Sequence, residues 1–231
     1  LDGQINNGYC DAFISKFNSA GEKQWTRLLG SNQWDRGYGI TTGSDGSIYI
    51  SGHTAGNLDN QTNNGGLADA YISKFNSDGD KQWTKLLGTS SKDLGKDLAT
   101  GSDGSIYIAG YTEGDLDGQI NNGWSDTFIS KFNSDGDTEW TKLLGSSQVE
   151  NDQSITIVDN TIYISGWTFG DLDGQLNSGR GDVFIHKLSV SNINEVATDI
   201  ILSVSQLDEN IDASSVIATL STTDEDNNDN H

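Results

Sequence analysis

Two ten-residue stretches carry oxygen donors at regular spacing: GDLDGQINNG from Gly114 and GDLDGQLNSG from Gly170. Asp115, Asp117 and Asn121 fall at i, i+2 and i+6, and Asp171, Asp173 and Asn177 repeat that spacing. Carboxylates alternating ahead of a glycine turn suit a hard cation, above all calcium, which takes about six to eight oxygen ligands. An EF-hand loop needs a ligand at i+4 and glycine at i+5. Gly118 stands at i+3 instead, so this is not an EF-hand. The same residues also suit a set of Asx turns, in which Asp and Asn side chains bond nearby backbone N–H groups. Calcium is thus one expectation for these six residues, and plain turn chemistry is the other.

A second set stands in the same loops. Tyr9, Leu67, Trp124 and Arg180 each lie two residues before a recurrent aspartate. Large side chains that vary within an otherwise repeated loop suit recognition, because loops carry binding. Packing over a sheet edge accounts for them equally well. Arg180-Gly181-Asp182 spells an integrin-type tripeptide, but Asp182 is the recurrent aspartate and the match reads as coincidence. His53 aligns with Tyr111 and Trp167, and His186 with Ser15, Ser73 and Ser130. The three histidines, His231 included, share no metal-binding spacing. Nucleophile-elbow, P-loop and dinucleotide fingerprints are absent. No catalytic constellation emerges, and the chain is expected not to be an enzyme.

The elements that position these residues come from an internal repeat. DAFISKFNSAGEKQWTRLLG starts at Asp11, DAYISKFNSDGDKQWTKLLG at Asp69, DTFISKFNSDGDTEWTKLLG at Asp126, and a shortened DVFIHKLS at Asp182, so the spacings are 58, 57 and 56 residues. GSDGSIYISGHT from Gly43, GSDGSIYIAGYT from Gly101 and VDNTIYISGWT from Val158 recur in phase. The first eight residues, LDGQINNG, return at Leu116–Gly123, so the chain is expected to be a piece of a longer protein.

Each unit reads as four short strands. In the first whole unit these are Gly37–Gly43, Ser47–Thr54, Ala70–Phe75 and Lys81–Leu87. Asp45-Gly46 between the first two is a hairpin signal in which both residues accept positive φ; Asp159-Asn160 takes that place later. No segment keeps the 3.6 period of an amphipathic helix, so the fold is all-β. Four antiparallel strands every 57 or so residues suggest propeller blades. Residues 11–30 would then be the outer strands of one blade, 37–88 and 95–145 two whole blades, and 153–188 three strands of a last one. Trp25, Trp83 and Trp140 recur on strand four and are expected between blades. The innermost strands offer Lys96, Asp97 and Asp152 as their ionisable residues, which is poor material for acid–base catalysis.

Composition bounds the partners. Thirteen Lys and Arg against 34 Asp and Glu give a net charge of −21, which argues against nucleic acid. Hydrophobic residues make up only 33%, but 20 Trp, Tyr and Phe argue against disorder. No apolar run approaches the roughly 18 residues of a membrane helix. One cysteine, Cys10, excludes an intrachain disulfide. An acidic, Gly/Asn/Asp-rich, Cys-poor chain points to an extracellular or cell-surface bacterial protein.

The units resemble the SBBP-type β-propeller repeat, on the residues DAYISKFNSDGDKQWTKLLG followed by GSDGSIYIAGYT. The resemblance covers about residues 1–190 and implies a propeller without implying an activity. After a linker at 189–198, residues 199–231 resemble the opening of a cadherin-like repeat, a truncated β-sandwich segment. Glu209-Asn210 and Asp224-Glu225-Asp226 carry that resemblance, which implies calcium ligation by Glu209, Asp224 and Asp226. The expected function is a non-enzymatic extracellular binding, adhesion or structural module, with calcium as its cation and a protein or carbohydrate surface ligand as its partner. The alternative is a propeller enzyme, a quinoprotein or a polysaccharide lyase or hydrolase; the F-N-S-D-G-x-x-x-W segment is similar to pyrroloquinoline-quinone repeats.

Overall fold

The computed structural model of the chain describes residues 2–189. Of the linker expected at 189–198, Ser189 is described, at the end of a strand; the rest of it and the stretch 199–231, with Glu209, Asp224 and Asp226, lie outside the described residues. Among the described residues there are thirteen strands and no helix, in four antiparallel sheets. Strands β1 (Ala12–Phe17) and β2 (Lys23–Leu29) form the first. Next come β3 (Asp35–Thr42), β4 (Ile48–Thr54), β5 (Asp69–Phe75) and β6 (Lys81–Leu87), a four-stranded meander. A second meander holds β7 (Asp93–Thr100), β8 (Ile106–Thr112), β9 (Asp126–Phe132) and β10 (Thr138–Leu144). The last sheet is β11 (Glu150–Val158), β12 (Thr161–Thr168) and β13 (Asp182–Ser189). These are propeller blades in the expected phase, and the described blades do not close a ring. The inner strands β3, β7 and β11 pack side by side.

Strand one begins two or three residues earlier than the sequence pattern indicates. The cause is a tie between blades. Trp34, Lys92 and Val149 make parallel bridges to Cys10, Ala68 and Ser125 of the preceding blade. The amides of Asp35, Asp93 and Glu150 then donate to the carbonyls of Cys10, Ala68 and Ser125 at 2.7, 2.8 and 2.9 Å. The expected turn chemistry also needs one correction. Of the pair Asp45-Gly46, only Gly46 takes a positive φ, 79°. Asp45 instead accepts from the Ser47 amide (2.9 Å) and hydroxyl (2.8 Å), which holds the turn without it. Asp159 and Asn160 do both have positive φ, 48° and 59°.

Each blade is apolar on both faces because a neighbour stacks on each. Between the two whole blades, Tyr49, Ala70, Ile72 and Leu87 meet Leu98, Ile106, Ile108, Phe128 and Phe132, with Leu116 inserted from a loop. Every one of these is buried, and a fully buried side chain of this size contributes about 1.5–3 kcal/mol. The recurrent tryptophans take part as the repeat implies. The Trp25 ring lies against Gly79 of the next blade, and Trp83 lies against Gly136. Arg27 donates to the Gly79 carbonyl (2.9 Å) and Trp83 Nε1 to that of Ser134 (3.3 Å).

A groove of about 550 Å³ runs between β1 and β3, over Ala12, Ile14 and Ile50. In the next blade the corresponding edge, that of β5, is covered by β4. The groove therefore belongs to the packing scheme of the repeat.

Candidate ligand-binding face

One end of every blade gathers the long loops between strands two and three and the connections from strand four to the next strand one. Buried carboxylates anchor both. Asp69 and Asp126 open strand three and are fully buried. They accept from the amides of Asn64 (2.8 Å) and Asn122 (2.9 Å), which pins the long loops. Asp11 holds Asn7 and Asp182 holds Ser178 in the same way. Asp182 is thus a loop anchor, as its place in the repeat implies, rather than part of a recognition tripeptide. Asp35, Asp93 and Glu150 open strand one and hold Ser31, Thr89 and Ser146 in the other connection. Burial first, and then its neighbour Asp93, push the Asp69 carboxyl up to about 6 against the pull of the Asn64 amide. Burial also raises Asp93 and Asp126. Asp69 Oδ1, Asp93 Oδ1 and Asp126 Oδ1 are buried and lack a hydrogen-bond partner.

The six loop residues expected to suit calcium are engaged by the protein itself. Asp115 and Asp171 accept from the amides of Asn121 (2.9 Å) and Asn177 (2.8 Å). Those asparagines donate to the Thr112 and Thr168 carbonyls (2.8 and 3.1 Å). Asp117 (φ 49°) and Asp173 (φ 49°) each head a tight turn with the following glycine. Their side chains turn away from the loop: Asp117 accepts from Thr141 of β10, and Asp173 Oδ2 lies 3.3 Å from His186 Nδ1. Asp115 and Asp117 are thus committed to different partners. Among the described residues no group of three or more His, Cys, Asp and Glu is placed to hold a metal ion.

The candidate recognition residues stand in the open. Tyr9, Leu67 and Trp124 are 70%, 74% and 75% exposed, and Arg180 is exposed beside them in the fourth loop. Ile120 and Leu176 of the same loops are equally bare. The loops thus form a rim of large side chains. Leu67 and Trp124 are not packed over the blade edge, whereas Tyr9 leans on the following blade.

Inside the rim lies a cluster that the repeat pattern did not single out. Tyr9 stacks on Trp34, with centroids 5.8 Å apart and planes 7° apart. The Arg36 guanidinium lies over the Trp34 ring at 5.5 Å. Lys92 and Lys96 lie over Tyr111 at 5.2 and 5.6 Å, and Lys96 lies over Tyr38 at 5.1 Å. Tyr38 and Lys96 occupy the same place in successive blades, the extra residue of a β-bulge in β3 and in β7. A bulge re-aims the side chain it carries, which is how both reach out of the ladder. His53 sits opposite Arg36 and beside Tyr38. Burial first, then the charges of Arg36, Lys92 and Lys96, lower its pKa to about 4. Lys92 has Glu113 at 4.0 Å. Among the inner-strand residues named from the sequence, Lys96 joins this cluster. Asp97 instead accepts from Ser154 Oγ (2.7 Å) and the Ile155 amide (3.1 Å) of β11. Trp34, Arg36, Tyr38 and Lys92 were missed. The available signal was departure from the repeat: Trp34/Lys92/Val149 and Arg36/Leu94/Asn151 hold equivalent places with different chemistry.

Comparison with known proteins agrees with the architecture. Residues 82–117 match the SBBP beta-propeller repeat. The chain is also 30% identical, over 175 residues, to the regulatory protein FlaEY of Caulobacter vibrioides. That alignment takes in 69% of this chain but 18% of the relative, so the chain spans under a fifth of the length of the protein it matches. A solved protein of unknown function from Bacteroides caccae aligns over 77% of this chain and 68% of its own, at 12% identity and a TM-score of 0.30. No helix among the described residues is long and apolar enough to cross a membrane.

Proposed function

We propose that these blades form a non-enzymatic binding module of a secreted or surface-exposed bacterial protein, and that the loop end is its ligand face. The observation that carries this reading is the rim: Trp124, Leu67 and Tyr9 at 70–75% exposure on anchored loops. Water-exposed aromatic side chains held on a rigid frame serve as contact residues at low entropic cost. The partner is a protein or a carbohydrate surface. The test uses the labelled 231-residue chain on a glycan array and on immobilised bacterial envelopes. Trp124→Ala and Leu67→Ala are expected to weaken retention by about tenfold each while leaving the melting temperature unchanged, as truncation of a contact residue does. Retention equal to that of the unsubstituted chain in both variants would remove the rim from the reading.

Calcium is proposed as a stabiliser, with the tail carboxylates Glu209, Asp224 and Asp226 as its sites, because Asp115, Asp117, Asp171 and Asp173 are held by their own partners. The support is the net charge of −21 and the concentration of carboxylates in the tail. Extracellular modules bind calcium near 10⁻⁴–10⁻³ M, so millimolar calcium is expected to add roughly 1 kcal/mol. Melting in CaCl₂ is compared with NaCl of matched ionic strength, because screening also relieves self-repulsion. Equal shifts in the two salts would refute specific binding.

A further inference from the structure

The inner cluster brings together three cations in a chain that is strongly acidic. Arg36 stands opposite His53 across β3 and β4, Lys96 lies over Tyr38, whose ring is 5.5 Å from that of His53, and Lys92 shares the Tyr111 ring with Lys96. Register explains the convergence. Arg36 and Ala70 flank His53 across β3 and β5, and Ala68, two residues before Ala70, bridges Lys92. Arg36 is exposed and lies over the face of Trp34. No ion pair of Arg36 occurs among the described residues, whereas Lys92 has Glu113 at 4.0 Å. A guanidinium held over an indole by that contact alone still has N–H groups for a planar anion, and carboxylate accepts from them in two parallel hydrogen bonds.

The neighbouring rings narrow the ligand further. Trp34 and Tyr38 are 46% and 44% exposed and lie two residues before and after Arg36. Tyr9 and Arg36 already lie over part of Trp34, and Lys96 over part of Tyr38; the ring area left open to water suits the C–H face of a pyranose, while the cations take a charge on its rim. A densely charged polymer is a poor fit. Duplex DNA carries a charge about every 1.7 Å, and a protein at −21 repels such a chain outside this one small patch. A sugar with one carboxylate per ring asks for a local cationic patch and aromatic faces. Resting on the reading of the loop end as a ligand face, we propose that the cluster binds an acidic sugar. Arg36 and Lys92 hold its carboxylate, and Trp34 and Tyr38 stack on its ring.

The test is isothermal titration of the 231-residue chain with tetragalacturonate and with its methyl ester, in chelator to exclude calcium bridging. The ester keeps the rings and removes the charge. The acid is expected to bind at least tenfold more tightly, the size of one charge-assisted contact. Arg36→Gln is expected to abolish that preference and leave the ester's affinity unchanged. Arg36→Lys is expected to restore part of it. A variant that had lost its fold would lose both ligands together, so the ratio reports on the contact itself. Equal binding of acid and ester by the unsubstituted chain, or no binding of either, overturns the proposal. So does a preference that survives Arg36→Gln and Lys92→Gln. Tetraglutamate binding as tightly as tetragalacturonate would overturn the assignment to a sugar. Acid and ester binding alike, but lost in Trp124→Ala, would overturn this inference and leave the ligand face intact. An Arg36-dependent preference untouched by Trp124→Ala would sustain it and remove the rim.

Discussion

Gly110→Ala is expected to prevent the chain from reaching its folded state at ordinary temperature. Gly110 lies in the middle of β8, opposite Gly95 of the inner strand and Phe128 of the third. A Cβ there would stand 1.9 Å from the Leu94 carbonyl oxygen and 2.8 Å from the Phe128 ring. Neither neighbour can yield. The carbonyl belongs to the strand that carries the bulge between Gly95 and Asp97. Phe128 is fully buried in the interface between the whole blades. Overpacking a rigid core usually costs about 1–3 kcal/mol. Here both the ladder and the blade interface must shift, so a loss of about 4 kcal/mol or more is expected. That takes up most of the stability of a chain at the lower end of the usual range of about 5–15 kcal/mol. Two companion substitutions calibrate the result. Gly104→Ala meets empty space but forces alanine to φ 82°, so a loss of about 1–2 kcal/mol is expected. Gly179→Ala meets nothing and requires no positive φ, so no change is expected. Urea denaturation of the three variants checks the order. A Gly110→Ala midpoint close to that of Gly104→Ala would mean that strand one can move away from strand two.

The recurrence of Gly52, Gly110 and Gly166 is visible in the sequence, but its cause is not. The bulge that presses the Leu94 carbonyl onto Gly110 comes from packing β7 between neighbouring blades, which a period-2 pattern does not encode. The same limit explains what else was legible. Alternation in DAYISKF and the Asn-Ser-Asp-Gly turn located β5 and β6 to within a residue, because local propensity and pleat set them. The start of β3 at Asp35 was missed, because a bridge from Trp34 to Cys10 of another blade decides it. Likewise Tyr9, Leu67, Trp124 and Arg180 could be picked as outliers within one loop. Trp34, Arg36 and Tyr38 share one segment, but Tyr9 and Lys92 come from the preceding and following blades, and blade stacking joins them. The loop carboxylates show the converse. Asp115 and Asp117 look convergent in sequence, yet a positive φ at Asp117 sends its side chain across the blade to Thr141.

Stability is expected to fall as pH rises from about 4 toward 6, with Asp69 as a principal cause and His53 as the main opponent. Burial, aided by Asp93, raises Asp69 from 3.8 to about 6 in the folded chain. Between those two values the folded state holds a proton that the unfolded state has released. The stability linked to it is therefore complete below pH 3.8 and lost as pH climbs through about 6. Asp93 and Asp126 are raised by burial and act in the same direction. His53 acts the other way. Burial and three nearby cations lower it from 6.5 to about 4, so the unfolded state binds the extra proton in that window. Its contribution is complete above pH 6.5 and lost as pH falls through about 4. The two shifts are similar in size and largely cancel, which leaves Asp93 and Asp126 to set the net slope. Single substitutions should separate them. Asp69→Asn keeps an acceptor for the Asn64 amide and places an N–H₂ group where Asp69 Oδ1 and Asp93 Oδ1 lack partners. It is expected to raise stability at pH 7.5 on the order of 2 kcal/mol, about 4–8 °C in melting temperature. It should also reverse the slope between pH 4 and 6.5, or flatten it. His53→Gln is expected to steepen the fall instead. Melting temperatures at half-unit steps from pH 4 to 8, at constant ionic strength, check both signs. A lower melting temperature for Asp69→Asn at pH 7.5 would show that the blade interface needs the ionised carboxylate, and the assignment of Asp69 as a buried cost at neutral pH would fall.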